Sequence, residues 1–238
     1  MPMPVSISHL FEQPLPPPRD LEGWYRVPIV ESHEPMVDLE DAGFQVEHVY
    51  YRQGIPGSLP RCLAREAVVA RLLQARALLP QGYDFLIWDA YRPLEVQTQL
   101  FQRYKAGLRE RYPFLSEEEL VLRTQTYVTL PSTDPHRPPP HSTGAALDLT
   151  LTRDGTPLDM GTPFDYFDRE ADSHFFEDAG EGRELQIRNN RRLLYHVLAA
   201  VGFKNYPHEW WHWSYGDQMA CVGSGQPAIY GGWRDQTR

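Results

Sequence analysis

The sequence is poor in cysteine, has no long apolar run and has no cluster of basic residues, and each absence excludes a class of protein. Its two cysteines, Cys62 and Cys221, form no C-x-x-C pair, so we expect free thiols rather than a disulfide framework. No stretch approaches the roughly 18 consecutive apolar residues of a membrane-spanning helix. The net charge of −9 comes without a basic stripe, so we expect neither a nucleic-acid nor a membrane partner.

The N-terminus also lacks a basic segment followed by an apolar run of signal-peptide length, so the expected compartment is the cytoplasm. Residues 1–20 are rich in proline and predict an extended arm with little structure of its own. Residues 21–238 show no repeat or linker and predict a single domain. A chain of 238 residues can bury a core without disulfide bonds. The sequence allows a homo-oligomer without specifying one.

Helices are predicted where apolar residues recur at helical spacing without proline or glycine. Four segments meet this condition: 61–79, 94–104, 116–127 and 185–201. The third begins with Ser116 and has Glu119 three residues later, which is the form of a capping box.

Strands are predicted at 45–51, 83–88, 145–151 and 203–215, from apolar or alternating runs. Asp154-Gly155 is a hairpin signal. Segments 131–140 and 165–182 predict irregular loops, the first because it contains five prolines. This mixture of helices and strands predicts one α+β domain.

Two short motifs carry the candidate chemistry. His141 precedes Asp148 by seven residues, and Glu209 precedes His212 by three. Two imidazoles, a ligating carboxylate and a nearby second carboxylate are the components of a catalytic zinc site, which has three protein ligands and a base. Either pair alone is more simply an ordinary polar cluster. The residues between Gly144 and Asp148 are all apolar, however, and a buried carboxylate without a partner is costly.

Glu209 and His212 raise a geometric difficulty. On a regular strand, residues three apart point to opposite faces, so a shared site requires the backbone to turn or bulge between them. The tryptophans of the same stretch, Trp210, Trp211 and Trp213, form either a dry wall around a metal or plain core.

Together with Asp89-Ala90-Tyr91-Arg92-Pro93 upstream, these motifs resemble the D-alanyl-D-alanine dipeptidases of the VanX type. This family is part of a wider group of zinc D-Ala-D-Ala peptidases that shares its fold with the Hedgehog signalling domain. The resemblance spans residues 50–215 and includes 160–168 and 190–193. It implies a single domain with a central, mainly antiparallel sheet and flanking helices.

The resemblance also implies residue roles. One zinc ion per chain would be bound by His141, Asp148 and His212. Glu209 matches the general base that takes a proton from zinc-bound water, and Arg92 matches the arginine that stabilises the oxyanion. Asp165 matches the acid that pairs with the free ammonium of a small dipeptide substrate. For Arg92, a salt bridge to Asp89 is an equally good interpretation of the residues alone.

The sequence departs from the family at Pro139-Pro140, where a serine-x-histidine pattern usually precedes the first zinc ligand. That serine is implicated in holding the C-terminal end of the substrate. Proline offers neither a hydroxyl nor an amide N–H, so the substrate carboxylate must be held differently and the second residue need not be D-Ala.

Three functions remain open on the sequence. The first is a cytoplasmic zinc dipeptidase acting on D-Ala-D-Ala or a related free dipeptide. The second is a D,D- or L,D-carboxypeptidase that trims peptidoglycan stems. The third is a non-catalytic zinc module that binds a partner, although such a module needs neither Glu209 nor Arg92. The setting, whether glycopeptide resistance, cell-wall recycling or nutrient use, is not specified.

Overall fold

The computed structural model describes residues 8–233 and contains a six-stranded sheet flanked by helices. The strands are β1 Met36–Asp38, β2 Gln45–Val46, β3 Leu63–Arg65, β4 Tyr83–Asp89, β5 Ala146–Arg153, β6 Thr156–Pro157, β7 Lys204–Tyr206 and β8 Glu209–Ser214. The helices are α1 Ser8–Glu12, α2 Val49–Arg52, α3 Glu66–Arg76, α4 Leu94–Arg111, α5 Glu117–Tyr127, α6 Gly182–Ala200 and α7 Gln218–Cys221.

The main sheet has the strand order β2-β4-β5-β8-β7, with β6 paired to β5. Only β2 and β4 run parallel, so the predicted α+β domain with a mainly antiparallel sheet is confirmed. Strands β1 and β3 form a separate antiparallel pair. The β5–β6 connection at Asp154-Gly155 is the predicted hairpin.

The central strands β4 and β5 are covered on both faces, so β4 has an unbroken apolar run, and in β5 the threonines between the leucines are buried as well. Phe85, Leu86 and Ile87 of β4 are all buried, as is every residue of β5 except the last. Helix α6 closes one face through Ile187, Leu194 and other apolar residues, and it contacts both α3 and β5. The site is therefore built on strands with little freedom to move.

Several predicted helix boundaries are confirmed and others shift. Ser116 caps α5 as a complete capping box, because its hydroxyl accepts the Glu119 N–H and the Glu119 carboxylate accepts the Ser116 N–H. Helix α4 continues to Arg111, beyond the predicted end at 104. The prediction of a helix over 61–79 is wrong at its start, since 63–65 form β3 before α3 begins at Glu66.

The strand predicted over 45–51 is also wrong beyond its first two residues. Only Gln45 and Val46 pair with β4, and the chain then turns into α2. The turn places the Tyr50 side chain in the interior, where it is 5% exposed. Tertiary contacts of Tyr50 therefore outweigh the alternating pattern of the segment.

The prediction that residues 1–20 have little structure needs correction at one point. Ser8–Glu12 form helix α1, which packs on α6, whereas residues 1–7 lie outside the described residues. The proline-rich part is extended and fixed to the domain, with the Leu15 N–H donating to Glu177 and the Pro16 carbonyl accepting from His174. The division into an arm and a domain at residue 20 stays a prediction.

The structure agrees with the sequence in having free thiols. Cys62 and Cys221 are both free, the first buried and the second half-buried. Within residues 8–233, no helix has the length and apolar character needed to cross a membrane.

Gly144 is the glycine on which the position of the first histidine motif most depends. It ends a 3-10 turn at Pro140–Thr143 with φ +71°, and its carbonyl accepts the Arg65 N–H at 2.9 Å. A Cβ there would lie 2.6 Å from Met36 Sδ. The Gly144→Ala change combines a left-handed backbone with this clash, so we expect a loss of about 1–3 kcal/mol of unfolding free energy. Denaturant unfolding measures it.

The matched control is Gly180→Ala, because Gly180 is exposed, has no positive φ and would present its Cβ to open space. Equal stability of the two variants would contradict the role given to Gly144.

Candidate active site

Two neighbouring strands and one turn bring the candidate metal ligands together. Asp148 on β5 lies directly opposite His212 on β8, and His141 comes from the 3-10 turn. His212 Nδ1 is 3.1 Å from Asp148 Oδ1 and 3.1 Å from His141 Nε2, and His141 Nε2 is 3.3 Å from Asp148 Oδ2. All three side chains are buried.

These separations fit a tetrahedral metal ion. Two ligands about 2.0–2.1 Å from zinc at the tetrahedral angle are roughly 3.3–3.4 Å apart. The donors are two imidazole nitrogens and a carboxylate oxygen, which is a set that zinc accepts. His141 is oriented by its other nitrogen, since Nδ1 lies 2.8 Å from the Ala90 carbonyl oxygen. The Nε2 of His212 is buried and has no such partner within the described part of the chain.

An irregularity in the pairing of β7 with β8 brings Glu209 and His212 to the same side of the strand. Tyr206 of β7 pairs with Glu209, but the preceding residue, Asn205, pairs with Trp213, so β8 has extra residues between these two positions. Glu209 Oε2 consequently lies 3.9 Å from His212 Nδ1. The requirement that the backbone bulge between these residues is confirmed.

Asn205 holds this bulge, and sequence reasoning missed it. Its amide nitrogen donates to the carbonyls of both Glu209 and His212, at 3.1 and 3.0 Å. Its own amide oxygen accepts from the Ser173 hydroxyl at 2.5 Å. A buried asparagine four residues before a candidate base is a weak signal by itself, because many such residues only satisfy loop backbone.

Arg92 makes both the salt bridge suggested by the sequence and a contact to the metal-ligand cluster. Its Nε donates to Asp89 Oδ2 at 2.6 Å, and its Nη2 donates to Asp148 Oδ2 at 3.1 Å. Nη1 donates to Gln97, and the backbone N–H of Arg92 donates to the His141 carbonyl. The guanidinium is thus fixed beside Asp148 through all three of its nitrogens, and the backbone of Arg92 is fixed to the His141 turn.

Asp165 lies on the far side of this guanidinium and is joined to it by Tyr50. The Tyr50 hydroxyl donates to Asp165 Oδ2 at 3.1 Å and accepts from Arg92 Nη2 at 3.3 Å. Asp165 has φ +59°, an unusual value for an aspartate, which directs its side chain into this network. Tyr50 was not predicted as a site residue, because its segment was assigned to a strand.

The charges of the site shift several pKa values. Burial raises the pKa of Glu209 well above its ordinary value, and the neighbouring Asp148 and Asp165 raise it further. Removal from bulk water raises the pKa of Asp165 to about 7, although Arg92 opposes the shift. Burial alone would raise the pKa of Asp148 too, but contacts with His141 and His212 lower it below its ordinary value. The site holds more carboxylates than cations, and a divalent cation would correct that excess.

A cavity of about 500 Å³ opens onto these groups. Helix α4 and the end of α5 form its outer wall, and Glu209, His212 and Trp211 form its floor. Pro140 also lines it. The hydroxyls next to the first histidine do not replace the missing serine, because Ser142 and Thr143 donate to the Pro139 and Pro140 carbonyls of their own turn.

Comparison with known proteins agrees with this geometry. The D-Ala-D-Ala dipeptidase family, peptidase family M15, matches residues 50–227, which contain every site residue described above. The chain belongs to this family. The resemblance inferred from the motifs is therefore confirmed.

Curated relatives in the family share about a third of their residues with the chain. A D-alanyl-D-alanine dipeptidase of Synechocystis sp. is 32% identical over 230 residues, covering 88% of this chain and 90% of the relative. Those of Enterococcus faecium and Enterococcus faecalis are 33% and 32% identical, covering 62% and 66% of this chain and 70% and 75% of the relatives.

The ligand set generates a metal-content prediction. Purified protein should contain about one zinc ion per chain, and His212→Ala should lose most of it because two ligands no longer hold the ion firmly. His196→Ala is the control, since His196 is half-buried on α6 and, among residues 8–233, its ring contacts the Gln13 carbonyl and the Tyr195 ring and none of the metal ligands. Elemental analysis of the three proteins decides, and equal zinc in all three would contradict the assignment.

Proposed function

We propose that this protein is a zinc-dependent dipeptidase that hydrolyses D-Ala-D-Ala or a related free dipeptide. His141, Asp148 and His212 would hold the zinc, and Glu209 would act as the general base. The observation that carries the proposal is the convergence of three buried candidate ligand atoms beside a second carboxylate, that of Glu209, in an open cavity. A site that only stabilises the fold needs four protein ligands and no adjacent base.

Glu209 is placed to move a proton. A bound zinc ion supplies a Lewis acid that lowers the pKa of water to roughly 7. Burial raises the pKa of Glu209 above its ordinary value, so its carboxylate is a stronger base than an exposed glutamate and would accept a proton from the attacking water and return it to the leaving amine.

Arg92 supplies a fixed positive charge where negative charge develops. Contacts with Asp89, Gln97 and Asp148 fix the guanidinium and leave it no freedom to reorganise during the reaction. A charge that is already oriented stabilises an oxyanion more effectively than one that must move. The salt bridge to Asp89 thus supports the catalytic role instead of replacing it.

Asp165 would receive the substrate's free ammonium group. Its side chain lines the cavity, and the Tyr50 hydroxyl orients one of its oxygens. A carboxylate with a pKa of about 7 gains most from a cationic partner, because that partner favours its charged form. A substrate without the positive charge would leave the carboxylate of Asp165 with the Tyr50 hydroxyl and no ammonium partner, which disfavours N-blocked and longer peptides.

The cavity leaves room for more than dialanine. Its volume of about 500 Å³ is in the roughly 300–1,000 Å³ range of pockets for larger small molecules. This is why the proposal includes related dipeptides. The cytoplasmic location, the peptidoglycan-related role and any homo-oligomer stay predictions.

Glu209→Gln tests the general base. Glutamine keeps the shape but cannot take the proton, so kcat should fall by about 10²–10⁴-fold while zinc content stays at one per chain. Glu184→Gln, on the exposed start of α6, is the control and should keep full activity. Loss of zinc from Glu209→Gln would instead make Glu209 a ligand.

Asp165→Asn tests recognition of the ammonium group. The wild type should cleave D-Ala-D-Ala and not its N-acetyl form. Loss of the charge-assisted contact should lower kcat/KM for the free dipeptide by about tenfold or more and narrow the gap between the two substrates. Parallel rates on both substrates measure this. Comparable cleavage of both by the wild type would rule out a dipeptidase.

A further inference from the structure

A second cavity of about 460 Å³ lies beside the candidate active site. Four residues line both cavities: Gln125, Thr129, Tyr206 and Met219. Tyr206 lines both cavities, and its ring centroid lies 5.9 Å from that of His212, which lines the first. The far side of the second cavity is the N-terminal segment 18–25, which adds aromatic walls through Trp24 and Tyr25.

Arg137 is a half-buried cation in this cavity. Its guanidinium lies 4.1 Å from the centroid of the Tyr25 ring, and no carboxylate of residues 8–233 is within ion-pair distance of it. Arg19, which also lines the cavity, donates through Nη2 to the carbonyls of Met219, Ala220 and Val222, whereas its Nη1 is buried and has no hydrogen-bond partner among the described residues. Arg137 is therefore a stacked, pre-oriented cation without an anionic partner.

The fold fixes the place of Arg137. The buried Gln218 donates through Nε2 to the carbonyls of Tyr25, Val27 and His136, which ties the N-terminal segment to the proline-rich loop at this point. The Arg137 N–H donates to the Asp134 carbonyl and closes a turn. These hydrogen bonds fix both the segment that carries the Tyr25 ring and the backbone of the loop that carries Arg137.

Arg137 belongs to the same proline-rich loop that leads into the first metal-ligand motif. It precedes His141 by four residues, so the two Cα atoms are no more than about 14 Å apart even in a fully extended chain. The intervening Pro138, Pro139 and Pro140 are all buried and keep this connection stiff.

The two cavities offer charges of opposite sign. Asp165 lines the first cavity and not the second, whereas Arg137 lines the second and not the first. A free dipeptide is a zwitterion with its charges at opposite ends. Pro139 and Pro140 have no amide N–H and no polar side chain, so the residues just before His141 offer the carboxylate end no donor.

We propose that Arg137 binds the C-terminal carboxylate of the dipeptide substrate and that the second cavity receives its second residue. The inference rests on the proposed function, because it takes the scissile bond to lie at His141, Asp148 and His212. Asp20 and Glu22 also line the second cavity, but both side chains are exposed, where water and salt screen their repulsion of an anion. Arg137 is stacked on Tyr25 and half-buried, so its attraction for a carboxylate is screened less than the repulsion by the exposed Asp20 and Glu22.

The test compares D-Ala-D-Ala with its C-terminal amide. In the zinc-loaded wild type, the acid should be preferred. Arg137→Gln should raise KM for the acid by about ten- to hundredfold, leave kcat within a few-fold, and remove the preference over the amide, because only the charged contact is lost.

Arg26→Gln is the matched control. Arg26 stacks on the same Tyr25 ring at 5.6 Å but lines neither cavity, so its loss changes the ring's surroundings without touching the substrate. Its KM values should match those of the wild type. An equal rise in KM for acid and amide in Arg137→Gln, or an unchanged KM, overturns the proposal.

Binding measurements separate this inference from the proposed function. Calorimetric titration of D-Ala-D-Ala and its amide into Glu209→Gln, with and without Arg137→Gln, requires no turnover. A preference for the acid that disappears with Arg137→Gln supports the inference even if the wild type cleaves neither compound, in which case only the proposed function fails. The absence of an Arg137-dependent preference refutes it, whatever the wild type cleaves.

Discussion

The carboxylates of Asp148, Asp165 and Glu209 surround one guanidinium, that of Arg92, where access to bulk water is restricted. Burial raises the pKa values of Glu209 and Asp165, and the like charges of the neighbouring carboxylates raise both further. A divalent cation between His141, Asp148 and His212 would relieve the excess. An ammonium group beside Asp165 would relieve it further, so metal and substrate binding both lower the same electrostatic cost.

The scaffold keeps this costly arrangement from relaxing. The pairing of β5 with β8 sets Asp148 against His212, and the bulge fixed by Asn205 returns Glu209 to the same face. The turn ending at Gly144 places His141. Because these constraints come from the backbone of buried strands, the site is organised before any ligand arrives, which is the condition for electrostatic catalysis.

The sequence predicted which candidate ligands and base lie together better than it predicted the residues that hold them in place. His141, Asp148, Glu209 and His212 are found from residue type and spacing, and the need for a bulge follows from the period of a strand. Asn205, which holds the bulge, could not be predicted. Its role depends on backbone carbonyls that only the irregular pairing of β7 and β8 leaves free to accept its amide N–H groups.

Contacts between residues far apart in sequence also explain the errors in the predicted secondary structure. Arg65 fits a helical pattern, yet pairing with Met36 draws it into β3. Tyr50 fits an alternating strand, yet its partner Asp165 lies 115 residues away in sequence and turns it inward. In both cases tertiary contacts override a local pattern.

X-ray absorption spectroscopy at the zinc edge tests the central claim most directly, because it reports the ligand atoms without depending on activity. The account predicts only nitrogen and oxygen neighbours at about 2.0–2.1 Å, with the multiple-scattering signature of two imidazoles. That signature should fall to one imidazole in any His212→Ala protein that still retains zinc. A sulfur neighbour at about 2.3 Å would contradict the account, as would a His212→Ala spectrum identical to that of the wild type.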